Sequence, residues 1–147
     1  KPVCYTFEAD GCKAALATDL GTYDERTVAA LADAQILYLE ANHDVNMLMV
    51  GTYPYYLKQR ILGERGHLSN DAAAKLVCEL LHPQLRYVIL AHLSKENNLP
   101  ELAYETVRLE LQNAVKEKEL LMPELFVANR DVPSRMVSIG EEIKLFA

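Results

Sequence analysis

The chain has 147 residues, half of them hydrophobic and about a quarter charged, with a net charge of −6. That size suits one domain with a core of its own, no apolar run approaches the ~20 residues that span a bilayer, and no basic-apolar-small leader opens the sequence. The acidic balance argues against a protein that coats itself in nucleic acid, since phosphate binding leans on Lys and Arg; Lys58, Arg60, Arg65 and Arg86 could form a local basic track but read as scattered solvated charges.

In chain order, Val3 to Glu8 alternates and is rich in β-formers, Asp10-Gly11 is a hairpin turn signal, and Cys12 to Thr18 reads as the returning strand. Asp24 is placed to cap a helix running through Ala32, and Ile36 to Leu39 reads as the next strand. A short helix from Val45 to Val50 stops at Gly51, and another covers Tyr55 to Leu62. Gly63 to Asn70 reads as a flexible loop, whose Ser69 or Asn70 caps a helix with Ala73, Leu76, Val77, Leu80 and Leu81 on one face; Pro83 ends it. Tyr87 to Ala91 has the length and apolar content of a buried central strand. Asn98 and Glu101 have capping-box spacing around Pro100 for a helix reaching Lys118, and short strands are expected at Leu125 to Ala128 and from Met136 to Phe146. Three cysteines without a Cys-x-x-Cys pair suggest neither a disulfide framework nor a zinc knuckle, and a reducing cytoplasm is the natural compartment.

The chemistry-bearing residues gather where apolar runs stop. One run ends in Asp19-Leu20-Gly21, a second in Glu40-Ala41-Asn42-His43-Asp44, and a third in His92-Leu93-Ser94. Ligands of α/β sheets bind beyond the carboxyl ends of strands, so these endings read as parts of one site. Carboxylate and imidazole donors suit a divalent metal, with Asp19 and His92 the candidates; a loop cap and a satisfied core histidine are the plain alternatives. His67, between Gly66 and Leu68, could deliver a proton to a leaving group or be an exposed loop histidine. Glu40, Asn42, His43 and Asp44, with Ser94 and Asn97 after the third run, could touch substrate or orient a ligand from behind, Asp44 being equally a helix cap. His82, before Pro83, reads as structural.

Taken in order, Thr18-Asp19-Leu20-Gly21, Glu40-Ala41-Asn42-His43-Asp44, Gly66-His67-Leu68-Ser69-Asn70 and Ala91-His92-Leu93-Ser94-Lys95-Glu96-Asn97-Asn98 resemble the carboxyl-terminal half of metallo-β-lactamase-fold hydrolases, most closely the YycJ (WalJ) group. The resemblance implies an α/β fold, the carboxyl-terminal half of an αβ/βα sandwich: a mixed sheet with helices on its outer face, forming one domain over residues 1–147. It implies that Asp19 bridges two divalent ions, zinc or manganese, that His92 is a ligand of the second ion, and that His67 lies near the scissile phosphate. It also implies phosphodiester hydrolysis, including 5′-to-3′ exonuclease action on DNA.

The family's first metal motif, His-x-His-x-Asp-His, does not occur in the sequence. The chain is therefore expected to lack the amino-terminal half, to be silent alone, and to expose an apolar sheet face that the missing half or a second copy covers. Alternatives are hydrolysis of a small ester, thioester or cyclic phosphodiester, and a non-catalytic assembly half.

Overall fold

A computed structural model describes residues 3–139. Its centre is a five-stranded sheet in the order β1-β2-β3-β4-β5, built from β1 (Tyr5–Ala9), β2 (Cys12–Ala17), β3 (Ile36–Glu40), β4 (Tyr87–Ala91) and β5 (Glu124–Val127). The first pair is an antiparallel hairpin, and β2 to β5 all run parallel. The hairpin turns on Asp10 and Gly11, whose φ angles of 50° and 74° are what a tight two-residue turn needs. The sheet is thus mixed and the fold α/β.

Five helices connect the strands: α1 (Glu25–Leu31), α2 (Val45–Val50), α3 (Tyr55–Leu62), α4 (Asn70–Leu80) and α5 (Pro100–Glu117). Their starts follow local chemistry. The carboxylate of Asp24 accepts from Thr27 N, that of Asp44 from Met47 N, and the Ser69 hydroxyl from Ala72 N, each satisfying an amide that the first helical turn leaves unpaired. Alternate residues of the parallel strands, including Ala15, Leu37, Leu39, Val88 and Leu90, pack against Leu31, Leu76, Val77, Val107 and Leu111 in one dry core. Pro83 follows α4, and His82 anchors that corner by pairing its Nε2 with Ala34 O at 2.9 Å.

Three expectations need correction. Asn98 does not cap α5: Leu99 stands at the cap position, without a side-chain bond, and Pro100 opens the helix. The Asn98 amide is instead consumed in the interior, donating to Ala41 O at 2.9 Å and exchanging bonds with the Asn70 side chain at 2.9 and 3.0 Å. The loop around His67 is pinned rather than free, because His67 N donates to Ile61 O, Leu68 N to Glu40, and Asn42 N to Leu68 O. Of the last expected strand, residues 136–139 have no strand conformation and the remainder lies outside the described residues.

Candidate active site

The parallel register brings the carboxyl ends of β2, β3 and β4 to one edge of the sheet, and Glu40, the last residue of β3, is the hub of that edge. Its side chain is fully buried and receives hydrogen bonds from five donors. Oε1 accepts from Leu20 N at 3.2 Å and Leu68 N at 2.8 Å. Oε2 accepts from Asp19 N at 3.1 Å, His67 Nδ1 at 2.9 Å and His92 Nδ1 at 2.7 Å. Burial alone would raise the Glu40 pKa, but bonds from His67, His92 and Leu68 N outweigh it and the pKa is lowered. An ionised carboxylate only accepts, so both imidazoles carry their proton on Nδ1 when neutral and keep the Nε2 lone pair free.

Asp19 stands over this hub. Its Oδ1 lies 3.9 Å from His92 Nε2 and 3.8 Å from His67 Nδ1, and its side chain is 62% exposed. Asp19 and His92 both have left-handed backbone, with φ of 60° and 55°. That conformation costs of order 1 kcal/mol outside glycine, and the Glu40 bonds to Asp19 N and the His92 ring hold it in place. Glycine makes the close approach possible: a Cβ on Gly21 would lie 2.4 Å from Glu64 backbone atoms, and one on Gly66 would lie 1.9 Å from Ile61 O. The Asp19 turn and the His67 loop can therefore nest against each other and against the end of α3.

Asp19, Glu40, His67 and His92 each offer one ligand atom, all within 4.8 Å of one another, so the group could hold a metal ion. The donor chemistry fits, since a tetrahedral ion with bonds near 2.1 Å sets its donors about 3.4 Å apart. Glu40 already gives both oxygens to protein donors and suits orienting the imidazoles from behind. Glu40 together with Asp19 also raises the His67 pKa, the Glu40 hydrogen bond being the largest cause, against burial and the charge of Arg60.

The other residues singled out by sequence divide by position. Asn42 and Ser94 line the cleft above the cluster; Asn42 Nδ2 donates to His92 O at 2.7 Å and fixes that turn, while Ser94 Oγ accepts from Asn97 N at 3.2 Å. Asp44 caps α2, and its amide donates to Asn97 O. His43 and Asn97 are buried at 1% exposure, with both His43 ring nitrogens and Asn97 Nδ2 lacking hydrogen-bond partners among the described residues. Burial lowers the His43 pKa, with the nearby His67 adding to it.

The cleft also holds residues that sequence reading missed or passed over. Its volume is about 540 Å³, and its lining includes Tyr53, Arg60, Arg65, Lys95 and Arg130. Arg60 and Arg65 belong to the cations dismissed as scattered. Of the remaining two, Lys58 donates to Met49 O and Gly51 O, and Arg86 lies at the opposite edge, just before β4.

No family model matches the chain. Among curated proteins, it is 36% identical over 126 residues to exodeoxyribonuclease YycJ of Bacillus anthracis, covering 86% of this chain and 46% of that protein. It is 41% identical over 113 residues to exodeoxyribonuclease WalJ of two Streptococcus pneumoniae strains, covering 77% of this chain and 42% of those proteins. The chain therefore spans less than half the length of the curated relatives it matches. On this similarity it is a YycJ/WalJ-like protein of the metallo-β-lactamase fold, of which it represents the carboxyl-terminal half.

Proposed function

We propose that this chain is the carboxyl-terminal half of a metal-dependent phosphodiesterase that degrades DNA from a strand end in the 5′-to-3′ direction, with residues 1–147 as one structural unit. The observation that carries the reading is the Glu40 hub, which holds two imidazoles by Nδ1 beside the Asp19 carboxylate and leaves His92 Nε2 3.9 Å from it, in a cleft lined by cations. The exodeoxyribonuclease names of the matched relatives support the same chemistry.

In this reading Asp19 and His92 Nε2 are ligands, and two divalent ions, zinc or manganese, complete their shells with residues of the amino-terminal half. A bound ion supplies Lewis-acid polarisation of a phosphoryl oxygen. His92 cannot rotate away, because Glu40 holds Nδ1 at 2.7 Å. His67 is the proton donor. The raised pKa favours its imidazolium, Nδ1–H stays on Glu40, and, as a hydroxide oxygen bonds to phosphorus and the bond to the leaving oxygen breaks, Nε2–H passes to that leaving oxygen. Asn42 and Ser94 line the approach, whereas His43, Asp44 and Asn97 support the loops from behind. The fragment supplies too few ligands for a catalytic zinc, which takes three or more protein ligands, and should be inactive alone.

Full-length protein containing this sequence should hydrolyse linear DNA with manganese or zinc and lose about 100-fold or more in kcat on His67→Ala. Unchanged turnover removes His67 from the mechanism. Turnover of a small ester, thioester or cyclic phosphodiester with none of DNA selects the small-substrate alternative. A stable oligomer that binds no metal selects an assembly role, which the exposed rings of Tyr5 and Phe7 on β1 favour.

A further inference from the structure

The lining of the cleft has a charge pattern that the whole-chain balance conceals. Despite the net charge of −6, Arg60, Arg65, Lys95 and Arg130 all face it, and the acidic member of its lining is Asp19. They come from separate segments: Arg60 from α3, Arg65 from the loop before His67, Lys95 from the turn after His92, and Arg130 from beyond β5. Arg60 and Arg65 thus approach on the His67 side, from α3 and its loop, and Lys95 and Arg130 on the His92 side, from the turns after β4 and β5. Among the described residues none of the four cations has a carboxylate within ion-pair distance. Arg130 is steadied by donating Nη2 to Leu93 O at 2.6 Å, and Arg60 is near enough for its charge to oppose protonation of His67. Tyr53, half-buried in the turn before α3, adds an aromatic surface to the same cleft.

We infer that the two pairs of cations grip the phosphates on either side of the cut in one unpaired nucleic-acid strand, with Tyr53 as a stacking surface for a base. This rests on the phosphodiesterase reading and deepens it by assigning the substrate contacts. The chemistry is that of a single-strand track, in which backbone charge and base stacking give sequence-tolerant binding. A cleft of about 540 Å³ has room for roughly one strand and a base, and an aromatic face beside the cations can stack on an unpaired base but not on one held inside a duplex. A strand end must therefore fray to enter. Cations on both sides of the imidazoles would hold the neighbouring phosphates and centre the scissile one between them.

The test uses full-length protein in EDTA, so that nothing is cleaved, and reads the anisotropy of a fluorescein-labelled oligothymidylate across a sodium chloride series. Arg60→Ala, Arg65→Ala, Lys95→Ala and Arg130→Ala should each weaken binding several-fold and flatten the plot of log affinity against log salt by about 0.7. Tyr53→Leu should weaken binding about fivefold or more at every salt concentration without changing the slope. Arg86→Ala removes the same charge at the far edge of the sheet and should change neither. With manganese, the four cation variants should raise KM for DNA and keep most of kcat. Wild-type affinity in the four variants, an Arg86→Ala effect as large as that of Arg65→Ala, or equal binding of a blunt duplex and the single strand overturns the inference. A wild type that binds the strand with this salt dependence yet never cleaves DNA overturns the phosphodiesterase reading and leaves the strand track standing.

Discussion

Leu37 and Tyr38 are adjacent on β3 and meet different surroundings. Leu37 is fully buried in the core beneath the helices, whereas Tyr38 is partly exposed on the other side of the sheet. The difference holds across the register. On the helical side Ala15, Leu37 and Val88 lie in one row and Ala17, Leu39 and Leu90 in another, all at 2% exposure or less. On the opposite side, Tyr5, Leu16, Tyr38, Ile89 and Phe126 align in one row and Phe7, Ala14, Ile36 and Tyr87 in the next, with Tyr5 and Phe7 at 55% and 63% exposure. The cause is topological. Strands β2 to β5 are added one after another in the same direction, and right-handed crossovers then carry the connections over one side of the sheet. Such a chain buries half its sheet by itself and needs another surface for the rest.

Glu40 is where the two faces meet, and disturbing it should have the largest effect. Along β3 it follows Ile36 and Tyr38 on the open face, yet the His67 loop and the Asp19 turn seal it completely. Glu40→Ala strands two imidazoles and three backbone amides without their acceptor, and should cost roughly 3–5 kcal/mol in urea denaturation. Glu40→Gln should cost less, because one amide oxygen remains for Leu20 N and Leu68 N. Its NH₂ group, however, would face the imidazoles and move their protons to Nε2, the nitrogen that His92 needs free as a ligand. Calorimetric titration of the full-length protein with manganese or zinc should then show about 10- to 100-fold weaker binding. Retained affinity would mean that Glu40 does not set the tautomer.

The next effect compares the faces directly. Leu37→Ala opens a cavity in the dry core and should cost about 2–5 kcal/mol. Tyr38→Ser, one residue along, should cost much less in this chain alone, as read from the same denaturation midpoints. Equal losses would break the comparison and show that the open face is covered in solution.

How much of this was legible in the sequence follows from the range of each interaction. Caps and turns are local, so Asp24, Asp44 and Asp10-Gly11 could be read from neighbours within three residues. The convergence of Asp19, Glu40 and His92 on one edge was also legible, because each follows an apolar run and parallel strands end together. What Glu40 binds was not. Its partners His67 and His92 lie 27 and 52 residues away, and nothing at position 40 distinguishes a hub from a surface carboxylate. The same holds for Asn98, whose bond to Asn70 spans 28 residues and displaced the local cap that Glu101 suggested. The cationic cleft was hidden by averaging: Arg60, Arg65, Lys95 and Arg130 come from separate segments of an acidic chain, and only folding brings them to one cleft.

A smaller effect separates the buried support of the site from its exposed chemistry. His43 is neutral and buried, with its pKa lowered chiefly by desolvation. The unfolded chain therefore binds its proton more readily, and stability that is present above the unfolded value near 6.5 is lost as pH falls toward the folded value. The slope is at most about 1.4 kcal/mol per pH unit. His67 has a raised pKa and acts in the opposite sense, losing its contribution as pH rises through the folded value. His43→Leu should remove only the first dependence, so stability at pH 5.5 relative to that at pH 7.5 should be higher in the variant than in the wild type. An unchanged difference would mean that His43 is hydrated or paired in solution.

The smallest expected change in stability is at β1, where all five residues are exposed. Tyr5→Ser with Phe7→Ser removes two aromatic rings from the open face without disturbing the core, so the denaturation midpoint of a monomer should hardly move. Association should respond instead. Light scattering of the chain at increasing concentration would show self-association weakening in the double variant if its bare face pairs with a second copy. In full-length protein the same substitutions should be costly, because there the amino-terminal half is proposed to cover these rings, and burying an aromatic ring contributes roughly 1.5–3 kcal/mol. A double variant as stable as wild type in the full-length protein would mean that Tyr5 and Phe7 stay solvated there, confining the covered part of the open face to the inner strands around Tyr38 and Ile89.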